Sequence, residues 1–259
     1  MKLIFLGTGT SQGIPTIGCR CEVCSSTDSR DKRLRTSALV EVDGTTIVID
    51  AGPDFRAQML REGVRKVDGI LLTHEHKDHI GGIDDVRALN FVDYPTIRPT
   101  NIYATHRTLE CVRKDFDYAF GSQKYQGVPE IILHKINHEE DFTINDVSIT
   151  PIKGGHSDRF EVTGYRFGDL AYLTDFKTID DRETAKLSGV KTLIVNALRF
   201  TPHHSHFNVD EALELIKRVA PERAYLTHIS HDAGLYCDFA KKLPAGVIPA
   251  YDGLVIEEL

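Results

Sequence analysis

Short apolar runs, separated by glycine and polar residues, follow one another along the chain and predict alternating strands and helices. Lys2 to Leu6 is predicted as the opening strand. Thr36 to Val42 and Thr45 to Asp50 are two further β-rich segments, and Asp43-Gly44 between them is typical of a two-residue hairpin turn. The first fifth of the chain is therefore predicted to contribute strands to a sheet.

Helical and β-rich patterns alternate through the middle of the chain. The spacing of apolar residues predicts helices over Phe55 to Arg61, from His79 through Leu89, and roughly from His106 to Tyr118. Asp54, which stands just before the first of these, is a candidate N-cap. The β-rich pieces Ile131 to Ile136 and Val147 to Pro151 predict an antiparallel meander.

A dense group of metal-binding side chains follows one apolar run. Gly69 to Thr73 is predicted as a short buried strand, and it is followed directly by His74, His76, Asp78 and His79. Ligands are expected at the carboxyl ends of strands in open α/β sheets. In this spacing the first two histidines can reach one metal, while Asp78 and His79 reach a second about 3.5 to 4 Å away. A histidine-rich surface loop without a ligand is the alternative.

The second half of the chain repeats this arrangement twice. The sequence Ala-Tyr-Leu-Thr precedes both Asp175 and His228, just as Ile-Leu-Leu-Thr precedes His74. Three short strands that each present a ligand past their last apolar residue would converge if they lay in facing sheets. His156 follows Lys-Gly-Gly, where glycines allow the backbone to approach a site closely. We expect all of these side chains to meet.

The motif His-x-His-x-Asp-His after a strand resembles the signature of the metallo-β-lactamase superfamily. The resemblance implies an α/β fold, a four-layer αββα sandwich of two facing mixed sheets flanked by helices, and hydrolase activity. It implies a first metal held by His74, His76, His156 and Asp175, and a second held by Asp78, His79, Asp175 and His228, with Asp175 as the bridge. It also implies that Asp50 orients the ligand loop from behind. Zinc, manganese or iron would suit these two divalent sites.

A cysteine cluster lies in the long segment from Gly7 to Arg35, where the sequence predicts neither helix nor strand. Cys19, Cys21 and Cys24 supply three thiolates, which lack one ligand for a closed tetrahedral zinc site. Free or redox-active thiols are the alternative. His231 stands three residues after His228 and can face the other side of the same turn, so we predict that it completes a structural Cys3His zinc site.

A histidine segment, Thr201-Pro-His203-His204-Ser-His206, precedes an amphipathic helix pattern that starts at Asn208. It could be a solvated helix cap. It also resembles a segment of phosphodiesterase members of the superfamily, including the tRNA 3′-processing endonucleases, in which the last histidine before the helix is the general acid. On that resemblance His206 is the predicted acid, and Asp78 is counted with it as catalytic. His203 and His204 are predicted to shape the site or face solvent.

Composition limits the remaining choices. The chain has 259 residues, 41% of them hydrophobic, and no linker-like tract, which predicts one domain over 1–259 with a zinc-clipped loop at about 7–35. The run Leu3 to Leu6 is too short for a signal peptide and no stretch has membrane-spanning length, so we expect a cytoplasmic protein without a membrane partner. The net charge of −7 argues against a large nucleic-acid partner. A homodimer is compatible with the sequence.

The three-cysteine loop and the paired His228 and His231 resemble, over essentially the whole chain, the PhnP-type phosphoribosyl cyclic phosphate phosphodiesterases. We therefore predict a dinuclear-metal-dependent phosphodiesterase that hydrolyses a small, cyclic phosphodiester. The alternatives are a tRNase Z-like nuclease, a thioester or lactone hydrolase with the same metal ligands, and a noncatalytic zinc-stapled binding module. The segment from His203 to His206 argues against the last two, because neither needs a candidate general acid.

Overall fold

Two β-sheets form the frame of the protein. A computed structural model describes residues 1–121 and 125–257, and in this part of the chain each sheet has seven strands. In chain order the strands are β1 (Lys2–Gly7), β2 (Ser37–Val42), β3 (Thr45–Ile49), β4 (Gly69–Leu71), β5 (Thr100–Ala104), β6 (Ile131–Lys135), β7 (Phe142–Ile144), β8 (Val147–Gly155), β9 (Glu161–Phe167), β10 (Leu170–Leu173), β11 (Thr192–Asn196), β12 (Arg223–Thr227), β13 (Val247–Pro249) and β14 (Val255–Glu257).

Both sheets are mixed. The first has the order β14-β1-β2-β3-β4-β5-β6, antiparallel up to β3 and parallel from β3 to β6. The second has the order β13-β12-β11-β10-β9-β8-β7, with parallel pairing from β10 to β13 and antiparallel pairing elsewhere. Strands β3, β4, β10 and β12, which all take part in parallel pairing, are followed by the polar residues Asp50, His74, Asp175 and His228.

Helices cover the outer face of each sheet. In chain order the helices are α1 (Glu22–Ser25), α2 (Phe55–Glu62), α3 (Lys77–Ile80), α4 (Val86–Asn90), α5 (His106–Asp115), α6 (Asp181–Ala185), α7 (Val209–Val219) and α8 (Tyr236–Lys241), of which α1 packs against Ile14 and Leu235 in a small separate cluster rather than on a sheet. Met59 and Leu109 pack on the first sheet, whereas Leu215 and Phe239 pack on the second. A third cluster between the sheets contains residues of both, including Phe5. The predicted αββα sandwich is thus confirmed.

The predicted hairpin is present, with β2 and β3 paired antiparallel up to Val42 and Thr45. Asp43 and Gly44 have φ angles of 47° and 79°, the left-handed pair that a type I′ turn requires. Asp54 stands at the predicted N-cap position of α2, which begins at Phe55, but its side chain makes no capping hydrogen bond. Its carboxylate instead accepts hydrogen bonds from the backbone N–H and the guanidinium of Arg35. The carboxylate is therefore not turned toward the free N–H groups of the helix.

Two other predicted elements differ from the structure. The meander is wrong because β6 pairs with β5 in the first sheet, whereas β8 pairs with β7 and β9 in the second. The helix expected after His79 is broken into α3, a 3-10 turn and α4. At the break the N–H of Gly82 donates to the carbonyl of Ala51 at 2.9 Å, and a Cβ atom at Gly82 would lie 2.0 Å from the carbonyl oxygen of Gly52. The chain turns at this point to pack against the end of β3.

The segment from 8 to 36 is better anchored than its sequence predicts. It contains α1 and a 3-10 turn at Ser29–Asp31, and isolated bridges pair Gly9 with Arg35 and Ile14 with Arg33. The buried guanidinium of Arg33 donates to Thr8 Oγ1 at 2.7 Å and to the carbonyl of Ala250. The cysteines are therefore not the only tether of this segment. Throughout 1–121 and 125–257, no helix has the length and apolar character needed to span a bilayer.

Candidate metal centre

Left-handed backbone conformations place three of the predicted site residues at strand ends. Asp50 follows β3, Asp175 follows β10 by two residues and His228 follows β12, and their φ angles are 64°, 64° and 55°. This region is uncommon for residues other than glycine and costs of order 1–3 kcal/mol at each position. This conformation turns the backbone so that each side chain points away from the end of its strand. The fold therefore tolerates the energetic cost at three positions, and these are the positions whose side chains converge.

Three histidines form the first group of candidate ligands. His74, His76 and His156 each offer a ring nitrogen, and these atoms lie within 4.8 Å of one another. Nδ1 of His156 donates to the carbonyl oxygen of Asp175 at 2.8 Å, which fixes the tautomer that leaves Nε2 free to bind a metal. Burial lowers the pKa of His74 well below its usual value and that of His156 to about 4. Both rings are therefore neutral near neutral pH, the form that binds metals.

The second group consists of Asp78, His79 and His228, whose ligand atoms also lie within 4.8 Å of one another. Nε2 of His79 is 3.2 Å from Asp78 Oδ2 and 3.4 Å from Asp175 Oδ2. Behind this ring, Asp50 Oδ2 is 2.7 Å from His79 Nδ1, and Asp50 also accepts a hydrogen bond from the backbone N–H of Thr73. Asp50 thus holds both ends of the ligand loop in one orientation.

Asp175 lies between the two groups. Its Oδ2 faces His79, while its Oδ1 is 3.0 Å from Nε2 of both His228 and His206. Burial raises the pKa of Asp175, but the charges of His228 and His79 outweigh burial and hold this pKa well below its usual range. The carboxylate is ionised. Its two oxygens face His79 and His228 of the second group, and Asp175 also clusters with His74 and His156 of the first, so it is placed to contribute to both groups.

Several buried nitrogens at this centre have no hydrogen-bond partner in the described part of the chain. They are Nε2 of His79 and both ring nitrogens of His228, in side chains that are 1% exposed; the carboxylate oxygens of Asp78 and Asp175 lie 3.0–3.4 Å from the two Nε2 atoms but outside hydrogen-bonding geometry. Because buried polar atoms are nearly always satisfied, these atoms indicate partners of another kind. Divalent cations fit the donor set of imidazoles and carboxylates. The structure brings all seven predicted ligands together, and their metal ligation stays a prediction.

His206 joins the same cluster from the segment before α7. Its ring centroid is 4.7 Å from those of both His156 and His228, and its Nδ1 lies 3.0 Å from Ser205 Oγ and 3.1 Å from His203 Nδ1. His203 is half-buried and contacts the exposed ring of His204. Nε2 of His206 therefore faces the centre while Nδ1 is turned away from it. The geometry is compatible with an acid and also with a ligand, since His206 groups with His156 and Asp175.

Two contacts that the sequence reading missed hold this segment. Asn208 and Glu211 form a reciprocal capping box at the start of α7, and Glu211 also pairs with Lys177 at 2.6 Å. At the end of β11, Asn196 donates to and accepts from the backbone of Phe176. Like the predicted ligands, Asn196 is a polar residue at the end of an apolar run. The same sequence pattern could therefore have identified it.

The cysteine cluster lies at a second location. Sγ atoms of Cys19, Cys21 and Cys24 are 3.5, 3.3 and 3.7 Å from Nδ1 of His231. Tetrahedral bonds of about 2.3 Å to sulfur and 2.0 Å to nitrogen separate such atoms by about 3.5 Å. The backbone N–H of Cys24 and then His231 lower the pKa of Cys21 to about 6. The four side chains fit a structural zinc ion, which stays a prediction.

A sequence model of the β-lactamase superfamily domain matches residues 45–229. The chain belongs to the metallo-β-lactamase superfamily. The chain is similar to a new diphosphatase from the PhnP family whose crystal structure is known. The two sequences are 40% identical, and the structures superpose with a TM-score of 0.92 over 100% of this chain and 98% of the diphosphatase. The predicted superfamily and the likeness to PhnP-type proteins are confirmed. This membership supports a hydrolase.

The chain is also similar to two other proteins, one by structure and one by sequence. Zn²⁺-bound PqqB from Methylobacterium extorquens shares the fold at 22% identity, with a TM-score of 0.77 over 100% of both chains. An octanoyltransferase of Porphyromonas gingivalis is 38% identical over 262 residues, which cover 100% of this chain and 52% of that protein. The chain thus spans about half the length of this relative.

Proposed function

We propose that this superfamily hydrolase is a dinuclear-metal phosphodiesterase that cleaves a small, cyclic phosphodiester. The observation that carries the proposal is the position of His206. Its Nε2 lies 3.0 Å from Oδ1 of Asp175, between the two groups of candidate ligands. Acyl hydrolysis with a good leaving group gains little from a further acid, whereas expulsion of an alkoxide from phosphorus does.

The first metal would be held by His74, His76, His156 and Asp175, and the second by Asp78, His79, Asp175 and His228. When bound, two divalent ions supply Lewis-acid activation of water and neutralise negative charge on the phosphoryl oxygens. Asp175 keeps the two groups at a fixed separation, and Asp50 keeps the His79 ring from rotating. These side chains are set before substrate arrives, so little reorganisation accompanies the reaction.

His206 holds the proton that the departing oxygen needs. Ser205 and His203 are placed around its Nδ1 and orient the ring, which leaves Nε2 as the atom that donates to the leaving alkoxide. Phe207, the next residue, is fixed by a backbone hydrogen bond of 2.7 Å to the carbonyl of Phe176. The acid is thereby tied to the loop that carries Asp175. A step of this kind contributes roughly 10²- to 10⁴-fold to the rate.

A second phosphorus substrate, a small molecule with a diphosphate bond, is favoured by the similarity to the PhnP-family diphosphatase. It would use the same ligands, because both reactions displace an oxygen from phosphorus. Hydrolysis of an acyl thioester is a different class, and the octanoyltransferase relative is the observation that favours it.

The experiment that separates these functions is a substrate screen. Purified protein is loaded with zinc or manganese and assayed against cyclic phosphodiesters, linear diesters, diphosphates, thioesters and lactones. We expect the highest kcat/KM on a small cyclic diester. Turnover confined to thioesters or lactones would contradict the proposal, and turnover confined to diphosphates would replace the substrate while leaving the phosphorus chemistry in place.

A further inference from the structure

A contact outside the predicted ligand set holds the residue between the first two histidines. Oε1 of Glu75 lies 2.6 Å from Nε of Arg107, and the Glu75 side chain is only 10% exposed. Arg107 is the second residue of α5, and the next residue, Thr108, donates to the other carboxylate oxygen of Glu75 at 3.4 Å. The first turn of α5 is therefore docked on the loop that carries His74 and His76.

The same guanidinium contacts the other ligand loop. Nη1 of Arg107 donates to the carbonyl oxygen of Arg159 at 3.0 Å, and the guanidinium lies 4.7 Å above the ring of Phe160. This loop starts at His156 and is closed by a backbone hydrogen bond of 2.8 Å from His156 to Phe160. The Phe160 ring in turn packs against His76 at 4.8 Å. One side chain thus connects the loops of two candidate ligands from different sheets.

We propose that Arg107 is a positioning residue that, together with Glu75, holds His76 and His156 at the spacing needed by the first metal. The proposal rests on the metal group that the proposed function requires, and it adds a residue from α5 to the control of that group. The buried carboxylate of Asp50 orients His79 on the opposite side of the centre. His76 is only half-buried, and in this proposal its orientation comes from Arg107 and Glu75.

The expected effect is on metal affinity rather than on fold stability. Arg107 is 54% exposed, and an ion pair with one such partner contributes little to the free energy of unfolding. Its three contacts are geometric constraints on two loops, and loss of such outer contacts typically weakens metal binding by about 10- to 100-fold. A residue that merely supported the fold would lower the melting temperature of the metal-free protein instead.

The test measures Zn²⁺ binding to metal-free protein by competition with a chromophoric chelator. Arg107→Ala should weaken one zinc equivalent of the histidine centre by at least about tenfold, and Glu75→Gln should shift affinity in the same direction. Arg107→Lys keeps the charge but loses the planar fork, so an intermediate affinity is expected. Arg113→Ala, an exposed arginine on the same helix, is the matched control and should bind zinc like the unaltered protein.

Unchanged zinc affinity in Arg107→Ala would overturn the proposal. So would an equal loss in Arg113→Ala, or a fall in the melting temperature of the metal-free protein accompanied by equal zinc loss at the cysteine cluster, since each would indicate a general structural effect. The binding assay contains no substrate. Absence of phosphodiester hydrolysis would therefore count against the proposed function without affecting the result for Arg107.

Discussion

Asp50 Oδ2 lies 2.7 Å from Nδ1 of His79, and neither side chain is more than 1% exposed. Asp50 also accepts from the backbone and hydroxyl of Thr73, so one carboxylate fixes the first and last parts of the ligand loop. The largest effect on the pKa of Asp50 is burial, which raises it, and His79 opposes this effect. The ionised form of Asp50 therefore depends on His79 and Thr73, which also fix the orientation of its carboxylate.

Asp50→Asn tests that relationship. The amide keeps the size of the side chain but loses the negative charge that holds His79, so activity and metal affinity should fall by about 10- to 100-fold. Asp54→Asn is the matched control, because Asp54 lies on the same segment and contacts Arg35 rather than a ligand. Metal affinity and kcat/KM are measured for both variants. Equal behaviour of the two would contradict the role of Asp50.

Asp175→Ala tests the two-metal arrangement. Elemental analysis of protein purified without chelator should give about three metal ions per chain, two at the histidine centre and one at the cysteine cluster. Removing the carboxylate that lies between the groups should leave about one ion and abolish activity, while the circular dichroism spectrum is retained. The remaining zinc is the internal control. Full activity in this variant would contradict a dinuclear centre.

Cys21→Ser separates the cysteine cluster from the chemistry. We expect loss of about one zinc ion and a lower melting temperature, where each kcal/mol lost corresponds to roughly 2–4 °C for a chain of this size. The ligands of the histidine centre are untouched. His231→Ala should behave in the same way. Cys237→Ser, at an exposed position in α8, is the control. Wild-type zinc content and stability in Cys21→Ser would show that the assignment is wrong.

Gly52→Ala tests the close approach behind the ligand loop. A Cβ atom at this position would lie 1.9 Å from the carbonyl oxygen of Asp78, so the backbone of the loop must shift. We expect weaker metal binding and a stability loss of about 1–3 kcal/mol. Gly121→Ala, where the nearest atom is 3.7 Å away, serves as control. Metal affinity and urea unfolding are measured, and unchanged affinity would mean that the loop can adapt.

The site was predictable where the signal was local. Apolar runs that end in threonine and a ligand identified the residues at 74, 175 and 228, and the same rule applied further would have found Asn196. The sheet that a strand joins could not be predicted from the residues near it in sequence. Which sheet β6 and β8 join depends on what packs across the core, so the predicted meander failed. The contact between Glu75 and Arg107 was invisible for the same reason, since nothing near either residue in sequence indicates the other.

His206→Ala tests the central claim most directly, provided that two substrates are measured on one preparation of known metal content. An alkoxide leaving group needs a proton in the transition state, whereas nitrophenolate gains little from one. We predict a loss of roughly 10²- to 10⁴-fold, about 3 to 5 kcal/mol of barrier, on a cyclic or alkyl diester, with a much smaller loss on a nitrophenyl diester and unchanged metal content. Equal losses on the two substrates, or loss of a metal ion, would contradict the role of His206 as the general acid.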